Sequence, residues 1–208
     1  MKTLGKFIVI EGIDGCGGET QTRLLSDFLN KKNRTAEQIT FPQYDKPIGK
    51  LIHEFLYGHY DFNPEVQTLL YFSEFIQSKE NIRKSLEEGK VIISDRYFTS
   101  TLVYQGLRGM DTEKILQLSQ LFDIIKPDLA ILLKISAETS IKRKTKEKGG
   151  NLDRNENNFQ LLKDLAERYE TLAEENIFCP WVIIDGEKTI EEVFNQIVLL
   201  LNNKLKVI

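Results

Sequence analysis

Two cysteines, Cys16 and Cys179, in a chain of 208 residues are too few for a disulfide scaffold and fit a reducing compartment. Two histidines, His53 and His59, stand without a second-ligand pattern, which leaves them surface or helix-end roles rather than a metal centre. Positive charge is not in excess either. The 28 Lys and Arg against 31 Asp and Glu give a formal charge of -3, whereas a general nucleic-acid binder needs many cationic contacts to phosphates. No apolar run reaches membrane-spanning length, and MKTLGKFIVIEG lacks the small-residue cleavage pattern of a secretory signal. Repeats and low-complexity stretches are missing as well. These absences lead to the expectation of a cytoplasmic protein with neither membrane nor nucleic acid as partner, in which any anion site is local.

With 41% hydrophobic and 28% charged residues the chain can bury one sizeable core, so a single domain over 1–208 with room for a small insertion is expected. Five short runs rich in Val, Ile, Leu and Phe recur: Phe7 to Ile10, a weaker Gln38 to Phe41, Val91 to Ser94, Leu129 to Ile135, and Trp181 to Ile184. Their apolar residues do not alternate with polar ones, as in strands covered on both faces, and helical patterns between them imply parallel pairing. The expected class is α/β, doubly wound. Asn63-Pro64-Glu65 reads as a helix N-cap, a proline at the first helical position and an acid in the first turn, with Gly89 as the stop. Thr189 and Glu192 have capping-box spacing and open a last helix with Ile190, Val193, Ile197 and Leu200 on one face. Trp181 heads a buried strand and belongs to the core.

Directly after the first apolar run comes GIDGCGGET, Gly12 to Thr20. Glycines at 12, 15 and 17 let successive backbone N–H groups turn inward, and the N-terminus of the following helix adds partial positive charge, so an anion is favoured there. A tight turn without a ligand would show the same glycines. A loop of the form G-x-x-x-x-G-K-[ST] has lysine at its seventh place and a hydroxyl residue at its eighth, and here Gly18 and Glu19 stand there. A lost cation and a gained carboxylate beside a triphosphate are worth several kcal/mol, from about 4 kcal/mol per charge pair at 4 Å and an effective dielectric of 20. Glu19 therefore turns away from the phosphates or reaches them through Mg²⁺, which suits hard carboxylate ligands. Cys16 inside the loop has a small side chain that fits, at a helix N-terminus that could lower its pKa.

VIISDRYFTSTLVYQG, from Val91, places Asp95 and Arg96 at the carboxyl end of a buried strand, where ligands of open α/β sheets collect. They are either a structural ion pair or, beside a phosphate loop, a metal-and-water ligand and a phosphate ligand respectively. Lys142 to Arg154 carries six cations around Gly149-Gly150 and reads either as a solvated helix end and loop or as a mobile basic flap.

FIVIEGIDGCGGETQ resembles the opening of the thymidylate kinase family, in register with its G-x-D-G-x-G-K-[ST]-T-Q pattern at Gly12, Asp14, Gly15, Gly17, Thr20 and Gln21. SDRYFTSTLVYQG is similar to that family's D-R-Y-x-x-S-x-x-[AV]-[YF]-Q-G. FPQYDKPIGKLI, KPDLAILLKISAETSIKRK, LDRNE and VIIDGEKTIEEV extend the likeness over nearly the whole chain. The resemblance implies a P-loop NTPase three-layer fold with a five-stranded parallel sheet and a short basic lid at about 142–157. It implies phosphoryl transfer from ATP to dTMP, giving dTDP and ADP with Mg²⁺, and a homodimer. Residues 12–20 (Gly12, Ile13, Asp14, Gly15, Cys16, Gly17, Gly18, Glu19 and Thr20) would then hold ATP, and Asp14 would contact the acceptor sugar. Arg96 would bind the acceptor phosphate, Phe41 would line the acceptor site, Tyr71 or Phe72 would stack on the base, Ser100 and Gln105 would lie by its edge, and Tyr104 would close on the nucleoside. The catalytic set implied is Asp14, Asp95, Arg96, Arg143 and Arg154, with Lys146 as a further lid cation, and Asp95 with Glu19 as the metal ligands. Besides Gly18 and Glu19, the departures are Gln43 for the acid after F-P, Tyr44 for the arginine following it, and Phe75 or Ile76 where the family's helix arginine falls. All five concern phosphate or metal handling. A degenerate nucleotide-binding paralogue without transfer, or a kinase for another nucleoside monophosphate, stays open at this point.

Overall fold

The structure, a computed structural model, describes residues 4–148, 155 and 158–205. Arg154 and Gly149-Gly150 lie outside the described residues. Five strands, β1 (Lys6–Glu11), β2 (Ala36–Thr40), β3 (Val91–Asp95), β4 (Leu129–Lys134) and β5 (Trp181–Asp185), form one parallel sheet in the order β2-β3-β1-β4-β5. The three inner strands are buried along almost their whole length, as apolar runs without alternation require. The edge strands differ from that expectation. In β2 Ala36 is buried while Gln38 and Thr40 are exposed, and in β5 Trp181 and Ile184 are buried while Ile183 is 38% exposed. An edge strand has covering on fewer sides, so its pattern partly returns to alternation.

Eight helices pack around the sheet among the described residues: α1 (Gly18–Lys31), α2 (Pro47–Leu56), α3 (Pro64–Glu87), α4 (Phe98–Leu107), α5 (Thr112–Leu121), α6 (Ala137–Lys148), α7 (Phe159–Glu174) and α8 (Ile190–Leu205). The Asn63 side chain accepts from the Val66 N–H and caps α3, and Gly89 turns the chain beyond that helix at φ 84°. The Thr189–Glu192 capping box forms in full, each residue's side chain taking the other's backbone N–H at 3.3 and 3.0 Å. The buried face of α8 is Val193, Ile197 and Leu201; Ile190, expected there, is 61% exposed as the first residue of the helix. No helix among the described residues is long and apolar enough to cross a membrane.

The consequence for function lies at β1. Its neighbours β3 and β4 lead in opposite directions across the sheet, so the crevice where the strand order reverses opens at the carboxyl end of β1, directly over the loop 12–17.

Candidate functional site

The loop after β1 is held by backbone geometry that only glycine supplies cheaply. Gly15 and Gly17 sit at φ +79° and +97°, and a Cβ on Gly12 would meet Leu133 O at 2.8 Å. From Ile13 to Thr20 every residue lines an open cleft of about 570 Å³, with Asp95, Arg96, Arg143, Lys144, Glu147 and Lys188 on its other walls. Gly12 lies behind it. Cys16 is buried against the loop, and burial pushes its thiol up to about 12, contrary to the lowering a helix N-terminus suggested.

Gly18 has no room for a side chain as the site stands. An ideal Cβ there would lie 2.3 Å from Asp95 Oδ1, so the Asp95 carboxylate fills the space a loop lysine would start from. Burial pushes the Asp95 carboxyl up to about 6; Arg96 opposes the rise, and Glu11, Glu19 and Asp14 add to it. Asp95 and Glu19 both line the cleft as hard oxygen donors. Their charge is unbalanced in a way a divalent cation brought by a polyphosphate would relieve, and Mg²⁺ typically takes one or two carboxylates plus phosphate oxygens. Among the described residues no cluster of three or more His, Cys, Asp or Glu side chains that could hold a metal ion occurs.

Arg96 occupies the left-handed region at φ 63°, its N–H donating to Ile10 O at 2.9 Å. Such a conformation costs a non-glycine residue about 1–2 kcal/mol and persists only where its surroundings fix it. The side chain shows what does. Nη2 donates to Asp14 Oδ1 at 2.7 Å, and Nη1 donates to the Tyr104 and Tyr169 hydroxyls, each at 3.3 Å. Burial works against its charge, and the Tyr104, Asp14 and Tyr169 oxygens outweigh burial, holding its pKa above the ordinary value.

Beneath Arg96 lies a residue the sequence reading passed over. Glu11, ending β1, is fully buried and accepts from Tyr97 N at 3.1 Å, Thr99 Oγ1 at 2.5 Å, Ser100 Oγ at 2.6 Å and the Tyr169 hydroxyl at 3.0 Å. Burial raises its pKa, and Arg96 and the three hydroxyls oppose the rise. The signal was an acid closing an apolar strand, FIVIE, where a buried carboxylate must find donors. Tyr169 gave none, since on α7 its spacing is that of a core residue.

A second, narrower crevice of about 80 Å³ adjoins the first, lined by Phe41, Pro42, Leu56, Tyr71, Phe75, Tyr97, Ser100, Thr101 and Tyr104, with Tyr44 at its rim. Of the two aromatics considered for a base platform, Tyr71 lines this crevice. Phe72 is 1% exposed and packs edge-on against Phe75 and Phe98 in the core. Gln105 does not line it: the residue is fully buried and donates from Nε2 to Gln67 Oε1 at 3.4 Å. Phe75 does line it, so where the sequence loses an arginine the wall is apolar. Asn155, also unforeseen, contributes from the segment after α6, its Oδ1 accepting from Arg108 Nη2 at 2.9 Å. Asp14 and Arg96 line both spaces and form their common wall.

The basic segment divides. Arg143 donates to Gly15 O at 3.1 Å and to Gly186 O at 2.9 Å, which ties α6 to the loop and to the turn after β5. It is a fixed wall of the wide cleft rather than a flap. Lys144 is part-buried beside it, with Nζ 3.0 Å from Glu147, and Lys146 is exposed. His59 pairs with Glu54 on the surface, and His53 lies in the last turn of α2 with its ring tilted against Tyr57, in keeping with the surface and helix-end roles expected of both.

A sequence model of the thymidylate kinase family matches residues 10–197. A protein named probable thymidylate kinase from Thermococcus kodakarensis is 36% identical over 210 residues, covering 96% of this chain and 98% of that one. One named thymidylate kinase from Thermoanaerobacter sp. strain X514 is 34% identical over 198 residues, covering 93% and 96%. Among solved structures, that of thymidylate kinase from Candida albicans superposes with a TM-score of 0.76 at 24% identity, over 99% of this chain and 94% of that chain, and shares the fold.

Proposed function

The chain belongs to the thymidylate kinase family, and from that premise we infer that it transfers the γ-phosphoryl group of ATP to dTMP, giving ADP and dTDP, as one kinase domain over residues 1–208. The single observation that carries the geometry is the shared wall. Asp14 and Arg96, paired at 2.7 Å, face the wide cleft on one side and the narrow crevice on the other. A group passing from a donor in one to an acceptor in the other must cross that pair.

Phosphoryl transfer asks the protein mainly for alignment and charge neutralisation. The loop 12–20 offers backbone N–H groups and a helix N-terminus to the donor phosphates. Arg96, kept charged and fixed by Asp14, Tyr104 and Tyr169, neutralises the acceptor phosphate and holds it at the boundary, and Asp14 presents its carboxylate to the acceptor sugar. Tyr71 and Phe75 supply apolar walls for a pyrimidine, Ser100 and Thr101 supply hydroxyls, and Phe41 with Pro42 closes the far side. Asp95 and Glu19 would hold Mg²⁺ carried in with ATP, which supplies neutralisation of the β,γ-phosphate charge. Arg143 fixes the loop, and Arg154 and Lys146 are assigned to the lid. The protein is further read as a cytoplasmic homodimer, acting on small molecules without nucleic acid or membrane.

An acceptor panel tests the reaction. ADP release with ATP and Mg²⁺ is expected to be fastest with dTMP among dTMP, dUMP, AMP, CMP and GMP. The absence of turnover above background ATP hydrolysis with every acceptor overturns it.

A further inference from the structure

Arg108 lines neither the cleft nor the crevice, yet its guanidinium joins three of the elements that surround the crevice. It is the C-cap residue of α4, where Gly109 at φ +92° stops the helix. From there the half-buried residue reaches back over its neighbours. Nη1 donates to Gln67 Oε1 on α3, Nη2 donates to Asn155 Oδ1 at 2.9 Å, and the guanidinium carbon lies 5.9 Å from the centre of the Phe55 ring on α2. The contact with α3 is a fixed post. Gln67 is 5% exposed, and its Nε2 donates to Phe62 O at 2.6 Å, so its amide oxygen faces the donors of α4. An arginine has donors only, held in a planar fork. One prong is therefore set by α3, and the other dictates how the Asn155 amide is turned, with its oxygen to Arg108 and its nitrogen away from it.

Asn155 is 6% exposed and lines the crevice together with Asp14, Arg96, Tyr71, Ser100 and Tyr104. A carboxamide suits the uncharged hydroxyl and carbonyl groups of a nucleoside, the phosphate being left to Arg96. A hydrogen bond to a charged donor is worth about ten- to a hundredfold in an equilibrium constant, enough to hold a side chain in one of its rotamers. We propose that Arg108 is a positioning residue for the acceptor, which fixes Asn155 to α3 and α4 as the polar wall that meets the nucleoside part of dTMP. Asn155 touches the acceptor; Arg108 acts through it. Arg108, Gln67 and Asn155 are all absent from the walls of the donor cleft, so binding of the donor is independent of them. The inference rests on the dTMP reading above.

The test uses the full chain and measures calorimetric binding of dTMP and of thymidine, ATPγS binding with Mg²⁺, and steady-state transfer. Arg108→Met and Asn155→Ala are each expected to weaken dTMP and thymidine binding by about the same factor, five- to thirtyfold, and to raise the KM for dTMP to match. Both should leave kcat and ATPγS binding within threefold of wild type. The double variant should bind dTMP within twofold of the weaker single variant, because Arg108 has nothing left to position once the Asn155 amide is gone. Binding of dTMP within twofold of wild type in Arg108→Met overturns the proposal. So do losses that multiply in the double variant, which make Arg108 a brace of α3 and α4 alone, and so does a loss for dTMP that thymidine does not share. Where Arg108→Met unfolds too readily to assay, Arg108→Lys keeps the charge, gives up the fork and is read against the same limits. Failure of the kinase reading is a separate result: wild type then binds dTMP without transfer to it, and the binding arm still decides the part of Arg108.

Discussion

The narrow crevice and the wide cleft meet at Asp14 and Arg96 but satisfy their charges in opposite ways. On the crevice side Asp14, Tyr104, Tyr169, Ser100 and Glu11 form one hydrogen-bonded network around Arg96 beneath aromatic walls. On the cleft side Asp95 and Glu19 face a loop without its lysine, and of the cations on its walls Arg143 is tied to two backbone carbonyls, Lys144 lies 3.0 Å from Glu147 and Lys188 is exposed. The first arrangement is organised before any ligand arrives, although at about 80 Å³ the crevice must widen to take a nucleotide, since ligand pockets usually hold 300 Å³ or more. The second is roomy at about 570 Å³ and electrostatically unfinished, so its ligand must bring or recruit positive charge. A site can thus keep its acceptor scaffold while redistributing the charges that handle the donor.

Breaking the shared wall is expected to have the largest effect. Arg96→Met removes the cation that both spaces use and leaves Asp14 and the buried Glu11 without their common counter-charge. Removing one partner of a buried pair costs about 3–5 kcal/mol, so a clear drop in the thermal midpoint should accompany a loss of about a thousandfold or more in kcat/KM for dTMP. Stability unchanged by this variant would mean that Arg96 serves ligand alone and that the network is not preorganised.

A smaller effect probes, through pH, the helix α3 that carries Tyr71 and Phe75 to the crevice. Glu74 on α3 is 3% exposed; Oε1 accepts the Gln43 N–H at 2.9 Å, and Oε2 has no hydrogen-bond partner. Burial pushes its carboxyl up to about 7, the Gln43 N–H opposing the rise and Asp45 adding to it. The folded state therefore prefers the protonated form. Its contribution to stability is fully present below the ordinary value of 4.5 and is lost as pH rises through about 7. Glu74→Gln keeps the acceptor for Gln43 and cannot ionise, so at pH 8 it should be more stable than wild type by roughly 1–3 kcal/mol, with little difference at pH 4.5. Urea titrations at the two pH values read this directly, and equal differences at both would show that Glu74 stays ionised.

Most of the scaffold was legible because local rules and tertiary packing agree there. Asn63-Pro64 and Thr189–Glu192 cap the helices they announce, and all five apolar runs are strands. Legibility fades where phase or partner decides. Tyr71 and Phe72 differ by one residue, a rotation of about 100° around the helix axis, and only packing chooses which one meets the crevice. Gln105 has a ligand-like pattern in sequence, yet Gln67 across the α3–α4 contact takes its amide. Cys16 sits at a helix N-terminus, whose favourable field is outweighed by desolvation. Tyr169 acts through an element distant in sequence, and no spacing rule connects residue 169 with 11.

The smallest change isolates the cleft from the crevice. Gly17 and Gly18 are adjacent, but they are glycine for different reasons. Gly17 sits at φ +97° with nothing within 4 Å of a would-be Cβ, so Gly17→Ala costs backbone strain of about 1–2 kcal/mol and no contact. Gly18 opens α1 without a positive φ, and alanine there should gain about 0.5–1 kcal/mol in helix propensity. Its methyl group must instead displace the Asp95 carboxylate. Gly18→Ala is therefore expected to leave stability within about 1 kcal/mol of wild type, because that gain offsets the contact. Its kcat/KM for ATP should fall three- to tenfold, since Asp95 no longer keeps its place on the cleft wall, while the KM for dTMP stays within twofold. An equal loss on both substrates would mean that Asp95 belongs to the shared wall with Asp14 and Arg96, and that the boundary between the two spaces lies one residue further into the cleft.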